Sequence, residues 1–311
     1  MDAPSFGIQL PTVDGFGRGY LDIRPTVRSA EAVGLDSVWM GDHLVANAPI
    51  LESVVAATTA AAVSERLRIG FAVMIAALRH PAWVGKQISS LQAVSGGRVE
   101  FGVGVGGEIA AEWAAAGVPV SERGRRTDAL LTALPALLTG REATLGAPWN
   151  ATVPPIHPHG PMPPLWVGGR AGAALRRAVR HRAGYMALWS DEQRLLRARG
   201  RMTELAAELD APVPPMGIQV LVHPSEDPGH GRRELASFME SVYRIPFAKL
   251  SRYALTGGRD AIADGLSSLV DAGARTVVMI PAVRDYAPHM EALGAIADAA
   301  RDRVPSTGAR A

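Results

Sequence analysis

Short apolar runs of strand length alternate along this chain with longer stretches whose apolar positions recur every three or four residues. The runs at 6–10, 37–41, 67–75 and 99–105 read as the first four strands. Between them lie helical patterns at 22–33, closed by Gly34, at 52–64, and at 81–94, which stops at Ser95-Gly96-Gly97. Helical segments follow between 108 and 138. The pattern then breaks over 140–164, a stretch rich in Pro and Gly with Trp149 and two histidines, which reads as an insertion with little regular structure. Strand runs resume at 165–168, 184–188, 216–222 and 276–280, with helices at 171–182, 192–209, 231–255, 260–272 and 286–303. Eight strand–helix units predict an α/β fold, a (β/α)8 TIM barrel spanning residues 1–311 as one domain, with the insertion between strands four and five.

Composition narrows the chemistry. The 311 residues are 48% hydrophobic and 20% charged, enough to bury a large core, and contain no Cys. Thiolate catalysis, Fe–S clusters, Cys-ligated zinc and disulfides are excluded together, which suits a cytoplasmic location. Neither a secretory signal at 1–8 nor a membrane-spanning run is present, so no membrane partner is expected. The 32 Lys+Arg against 30 Asp+Glu leave a net charge of only +2, which argues against nucleic acid as a partner. The densest basic run, Arg123-Gly124-Arg125-Arg126, lacks interleaved aromatics and reads as a solvated face or a set of internal ion pairs.

The most informative stretch runs from Ser95 through Gly102-Val103-Gly104-Val105-Gly106-Gly107-Glu108: a turn, a strand, then a glycine-rich mouth opening into a helix. Backbone N–H groups there can approach a planar or anionic ligand without intervening side chains, which suits a cofactor. Gly102, Gly104 and Gly107 also satisfy the dinucleotide fingerprint G-x-G-x-x-G. That motif requires an acidic residue ending a second strand about 20 residues on. Here 119–126 is polar and helical, so the barrel is preferred.

In such a barrel the polar residues at strand ends carry the chemistry. Strand two ends in Gly41-Asp42-His43, where the Asp can act in a site or cap the following segment. His80, before Pro81, reads as a helix starter. Strand five ends in Gly168-Gly169-Arg170 ahead of a helix, a seat for phosphate through free N–H groups and the guanidinium, although Arg170 can equally face solvent. His157 and His159 lack Cys or patterned carboxylates beside them and read as loop residues, so no metal site is expected. Neither a G-x-S-x-G elbow nor a G-x-x-x-x-G-K-[ST] loop occurs.

The ordered set resembles the bacterial luciferase-like family of flavin and deazaflavin enzymes over nearly the whole chain. It comprises Trp39-Met40-Gly41-Asp42-His43, Arg79-His80-Pro81, Leu91-Gln92-Ala93-Val94-Ser95-Gly96-Gly97-Arg98, the mouth through Glu108 with Glu112, the 123–126 run, and Pro163-Pro164-Leu165-Trp166-Val167-Gly168-Gly169. The resemblance implies a barrel, commonly dimeric, with FMN or coenzyme F420 at the C-terminal strand ends. It further implies a cis peptide bond at Ala72–Val73, against the cofactor's central ring. Members with the Asp-His pair resemble the F420 branch. Bacterial luciferases carry an Arg at the position of Val105 that reaches the FMN phosphate, and Val105 departs from that pattern. Ala183-Gly184-Tyr185, where the family often has Asp-Gly-Trp, and Gly107, where an aromatic is frequent, are further departures.

The resulting expectation is an F420-dependent oxidoreductase acting on a small organic substrate. Asp42 and His43 would be catalytic, and Ala72, Val73, Gly104, Val105, Gly106, Gly168, Gly169 and Arg170 would hold the cofactor. The alternative is an FMN-dependent monooxygenase, and a third reading is a flavin-binding protein without turnover. Apolar stretches at 54–57 and 82–84 on helices two and three predict a homodimer.

Overall fold

The computed structural model describes residues 3–19 and 21–304. Eleven strands and ten α-helices follow in chain order. The strands are β1 (Ser5–Gln9), β2 (Ser37–Met40), β3 (Arg68–Phe71), β4 (Val99–Val103), β5 (Ala143–Leu145), β6 (Ala151–Val153), β7 (Leu165–Gly168), β8 (Gly184–Leu188), β9 (Met216–Pro224), β10 (Ala254–Gly257) and β11 (Ala274–Pro281). The helices are α1 (Arg24–Ala32), α2 (Ser53–Val63), α3 (Pro81–Val94), α4 (Ala110–Ala115), α5 (Arg123–Leu138), α6 (Gly172–Arg180), α7 (Glu192–Glu208), α8 (Pro228–Tyr243), α9 (Arg259–Asp271) and α10 (Met290–Arg303).

Eight strands close a parallel ring in the order β1-β2-β3-β4-β7-β8-β9-β11, with β11 returning to β1. Each predicted strand run supplies one of them. Strands such as β2 and β4 are buried along their whole length, as expected for a sheet covered on both faces. Inside the ring, Trp39, Ala72, Trp166, Met186 and Val278 form a compact plug. Its two tryptophans meet edge to face at 6.4 Å. Each large ring stands opposite a glycine in register, Trp39 beside Gly70 and Trp166 beside Gly184. A Cβ at Gly70 would come within 2.0 Å of the Trp39 ring, and one at Gly184 within 2.4 Å of Trp166, so both rings fit only because these neighbours lack side chains. The indole N–H groups are satisfied within the barrel: Trp39 Nε1 donates to Ser37 Oγ at 2.8 Å and Trp166 Nε1 to Glu100 Oε2 at 2.7 Å.

Three local expectations are corrected. The insertion is not irregular throughout, because β5 and β6 pair as an antiparallel hairpin. Ala143, Leu145 and Val153 point inward against Ala133 and Leu137 of α5, while Thr144 and Thr152 face out, so a short alternation hides among the prolines. The helix predicted over 231–255 begins earlier and ends earlier. Asp227 caps it by accepting from Gly229 N at 2.8 Å, and it stops at Tyr243, with Arg244 at φ 54° and Pro246 unable to donate the next helical bond. The strand β10 beyond it was not predicted. It pairs with Leu221–Pro224 of β9, taking over above the point where β8 ends its pairing at Gln219.

The Ala72–Val73 bond is cis, as the family resemblance implies. Among the described residues no helix is long and apolar enough to cross a membrane.

Candidate functional site

Strand two delivers Asp42 and His43 to the C-terminal end of the barrel, where they part. Asp42 is 3% exposed and points into protein. Its Oδ2 accepts from Arg79 Nη1 at 2.6 Å and from Ile75 N at 2.8 Å, and its Oδ1 from Arg79 Nη2 and Ser53 Oγ at 2.8 and 2.7 Å. This two-pronged guanidinium–carboxylate pair ties the end of β2 to the start of α2 and to the segment following β3. Arg79 also reaches Glu52 at 3.1 Å, and Glu52 in turn caps α2 by accepting from Val55 N. The Asp42 carboxylate is thus occupied by structural partners.

His43 remains partly open, with 28% of its side chain exposed. Its Nδ1 lies 3.1 Å from Glu112 Oε2, so the ring donates from Nδ1 and leaves Nε2 uncommitted. Glu112 is fully buried in α4, and its Oε1 has no hydrogen-bond partner among the described residues. Burial works against a charged imidazole, but the hydrogen bond and charge of Glu112, with the charges of Asp42 and Glu108, outweigh it and hold the His43 pKa above its ordinary value. Glu112 belongs to the sequence pattern, yet its pairing with His43, 69 residues away, is visible only in the fold.

Beside this pair lies a mouth poor in side chains. After the cis bond, Met74 N donates to the Gly102 carbonyl at 2.8 Å and Gly104 N to that of Met74 at 2.9 Å, which locks the β3 exit onto β4. Ala72 is buried and Val73 half-buried, with Val73 packed on the tryptophan plug. Cβ atoms at Gly104 and Gly168 would come within 2.4 and 2.8 Å of the Val73 methyls. These glycines therefore make room for Val73, which floors the mouth. Gly106 at φ 55° and Gly107 at φ 112° then turn the chain toward α4, and Val105 is half-buried beside them.

Across the mouth, Gly169 follows β7 at φ 143° and its carbonyl accepts from the Tyr185 hydroxyl at 2.9 Å. Arg170 is exposed, two residues before α6, and the Ala171 N-cap of that helix has no side-chain cap. The free N–H groups of an uncapped helix start and a nearby guanidinium are both donors of the kind an anion accepts from. His80 is placed elsewhere in function: its Nδ1 accepts from Ala82 N at 3.2 Å and starts α3. His157 and His159 lie exposed in the insertion with their Nδ1 atoms 2.9 Å apart. In the basic run, Arg125 and Arg126 pair with Glu122. Surface clefts lined by Arg259, Asp298 and Arg303, and by His80, Trp83 and Ile156, contain none of the mouth residues.

The barrel carries these polar groups at its C-terminal strand ends, the face at which barrels of this kind hold their ligands. A model of the luciferase-like monooxygenase family matches residues 11–303, and the chain belongs to that family. It is 32% identical over 206 residues to an uncharacterized protein of Mycobacterium tuberculosis, covering 59% of this chain and 71% of that one. It is 30% identical over 217 residues to an F420-dependent glucose-6-phosphate dehydrogenase of Beutenbergia cavernae, covering 65% and 63%. Among solved structures, an F420-dependent secondary alcohol dehydrogenase in complex with an F420–acetone adduct superposes with a TM-score of 0.83 at 16% identity, over 97% of this chain and 100% of that one. The FMN complex of the oxygenating constituent of 3,6-diketocamphane monooxygenase, from a Pseudomonas putida plasmid, gives 0.78 at 17% identity, over 98% and 100%. At these identities the superpositions establish the fold. The family to which the chain belongs is one of enzymes, the luciferase-like monooxygenases.

Proposed function

We propose that this enzyme uses coenzyme F420 and transfers a hydride between the cofactor and a small organic substrate. The observation that carries the reading is the His43–Glu112 pair beside a mouth poor in side chains. A half-exposed imidazole is held in one tautomer by a buried carboxylate, where a proton must be exchanged next to a planar ring. When bound, the deazaflavin supplies or accepts the hydride. His43 gives or takes the accompanying proton at Nε2, and Glu112 orients the ring and favours its protonated form. Asp42 acts as a positioning residue, fixing the His43 backbone through Arg79 and Ser53.

The residues present fit such a cofactor. Val73, Val105 and the bare backbone of Gly104 and Gly106 offer an apolar surface, with Ala72 buried beside Val73. Gly168, Gly169 and Arg170 with the uncapped start of α6 offer the phosphate seat. The 30% identity to an F420-dependent dehydrogenase, together with Val105 in place of the arginine that serves FMN in luciferases, supports F420 over FMN.

We further propose a cytoplasmic homodimer built on α2 and α3. Val55 and Trp83 stand 63% and 67% exposed on these two neighbouring helices, and light scattering tests the dimer mass.

The direct test is incubation of the protein with each cofactor, followed by gel filtration and titration of cofactor fluorescence. Saturable F420 binding with weak or absent FMN binding supports the assignment. Tight FMN retention without F420 binding overturns it.

A further inference from the structure

A second cluster of chemically capable side chains lies at the C-terminal end of β9, on the same face of the barrel as the mouth but made of none of the residues described above. His223 is 1% exposed there, and neither of its ring nitrogens has a hydrogen-bond partner among the described residues. A buried imidazole normally satisfies at least one nitrogen, so an unpartnered pair asks for an explanation. Its Nδ1 faces the bare backbone of Gly231, where a Cβ would lie 3.1 Å away, and its Nε2 is 3.8 Å from Glu234 Oε2. One turn before Glu234 on α8, His230 presents its ring edge to face, with centroids 5.5 Å from those of His223.

We propose that His223, His230 and Glu234 form a binding site for a divalent transition-metal ion of the zinc class. The three donor atoms lie within 4.8 Å of one another. Bonds of about 2.0–2.2 Å to a tetrahedral ion need a somewhat tighter set, so binding requires the donors to draw together, His230 being the exposed member. His230 and Glu234 are spaced i and i+4, so one helix face presents both. The carboxylate is already divided: Oε1 accepts from Arg284 Nε at 2.7 Å, which orients the group and leaves Oε2 toward the histidines. His289 borders the cluster, its ring 6.0 Å from that of His223. Its Nδ1 donates to the Asp285 carbonyl at 2.9 Å, which leaves the Nε2 lone pair for a fourth position.

Two imidazoles with one carboxylate select zinc, cobalt or nickel over magnesium or calcium, which prefer all-oxygen sets. The site joins β9 to the first turns of α8. Further along α8, Leu235, Phe238 and Met239 pack with Trp189 after β8, Leu221 of β9 and Ala282 after β11, and Phe238 stacks on Phe16 after β1. An ion bound here therefore pins a helix that roofs part of the strand ends. The proposal is independent of which cofactor the mouth holds.

The test uses the full-length chain, stripped with EDTA and desalted, titrated with Zn²⁺ by calorimetry and with Co²⁺ by visible absorption. One equivalent should bind, with the d–d absorption of a low-coordinate Co²⁺ site, and Zn²⁺ should raise Tm while Mg²⁺ does not. His230→Ala changes an exposed side chain, so the fold survives, as circular dichroism verifies. It should lower Zn²⁺ affinity at least about 10-fold and remove the Tm shift, and Glu234→Gln should act likewise. A His157→Ala/His159→Ala double variant should leave binding unchanged. Absence of stoichiometric binding overturns the proposal. So does binding that survives both His230→Ala and Glu234→Gln, or that is lost in the His157/His159 variant instead.

Discussion

Asp42 and His43 are adjacent in the chain and both ionisable, yet the fold treats them oppositely. The Asp42 carboxylate accepts four hydrogen bonds from Arg79, Ser53 and the Ile75 backbone, while the His43 ring bonds Glu112 alone among the described residues and keeps an open ring nitrogen. A buried carboxylate with all its partners in place ties the segments around it together, and losing it breaks several bonds at once. A group with one partner and one open position can change protonation without disturbing the structure around it. The lesson of the pair is that two ionisable neighbours in sequence can be given very different surroundings by the fold.

The comparison breaks most visibly in turnover. His43→Ala should leave cofactor affinity nearly intact while turnover falls about 10²–10⁴-fold, the usual contribution of a positioned acid or base. A variant that binds cofactor poorly yet turns over normally at saturation would make His43 a binding residue. Asp42→Ala should register first in stability. It leaves the largely buried Arg79 guanidinium without its buried partner and with only the half-exposed Glu52, a loss of about 3 kcal/mol in denaturant unfolding. A loss no larger than that of an exposed substitution would show that the anchor is dispensable. Arg170→Ala should have the smallest of these effects, weakening cofactor binding about 10-fold through one charge-assisted contact at an exposed position, with little change in turnover at saturating cofactor.

How far the sequence discloses this arrangement depends on the range of the interaction involved. All eight barrel strands are legible, because each is a short apolar run bounded by turn residues and buried on both faces. The strand β10 is not, since Ala254-Leu255-Thr256 is half-buried and continues a helical spacing until Pro246 and Arg244 are weighed as a stop. The hairpin in the insertion is masked by its Pro and Gly content, although Ala143-Thr144-Leu145 alternates as a strand should. At the mouth, the glycines and the Asp-His pair stand out as local motifs. Their partners do not: Glu112 meets His43 across 69 residues, and His223 meets Glu234 only because α8 folds back on the end of β9. Arg79 appears in the sequence pattern beside His80, but nothing local says that it serves Asp42.

The central claim is that Glu112 holds His43 in a readily protonated form, and the most direct measurement is the His43 pKa by NMR titration in the wild type and in Glu112→Gln. The wild-type imidazole should titrate above its ordinary value, because Glu112 favours the charged ring more than burial disfavours it. In Glu112→Gln burial remains while the opposing charge is gone, so the pKa should drop. The linked effect on stability has a fixed sign. A folded pKa raised above the unfolded one gives a contribution fully present below the unfolded value and lost as pH rises through the folded value, and that dependence should flatten in Glu112→Gln. A His43 that titrates at or below its ordinary value in the wild type, or that is unmoved by Glu112→Gln, would contradict the account.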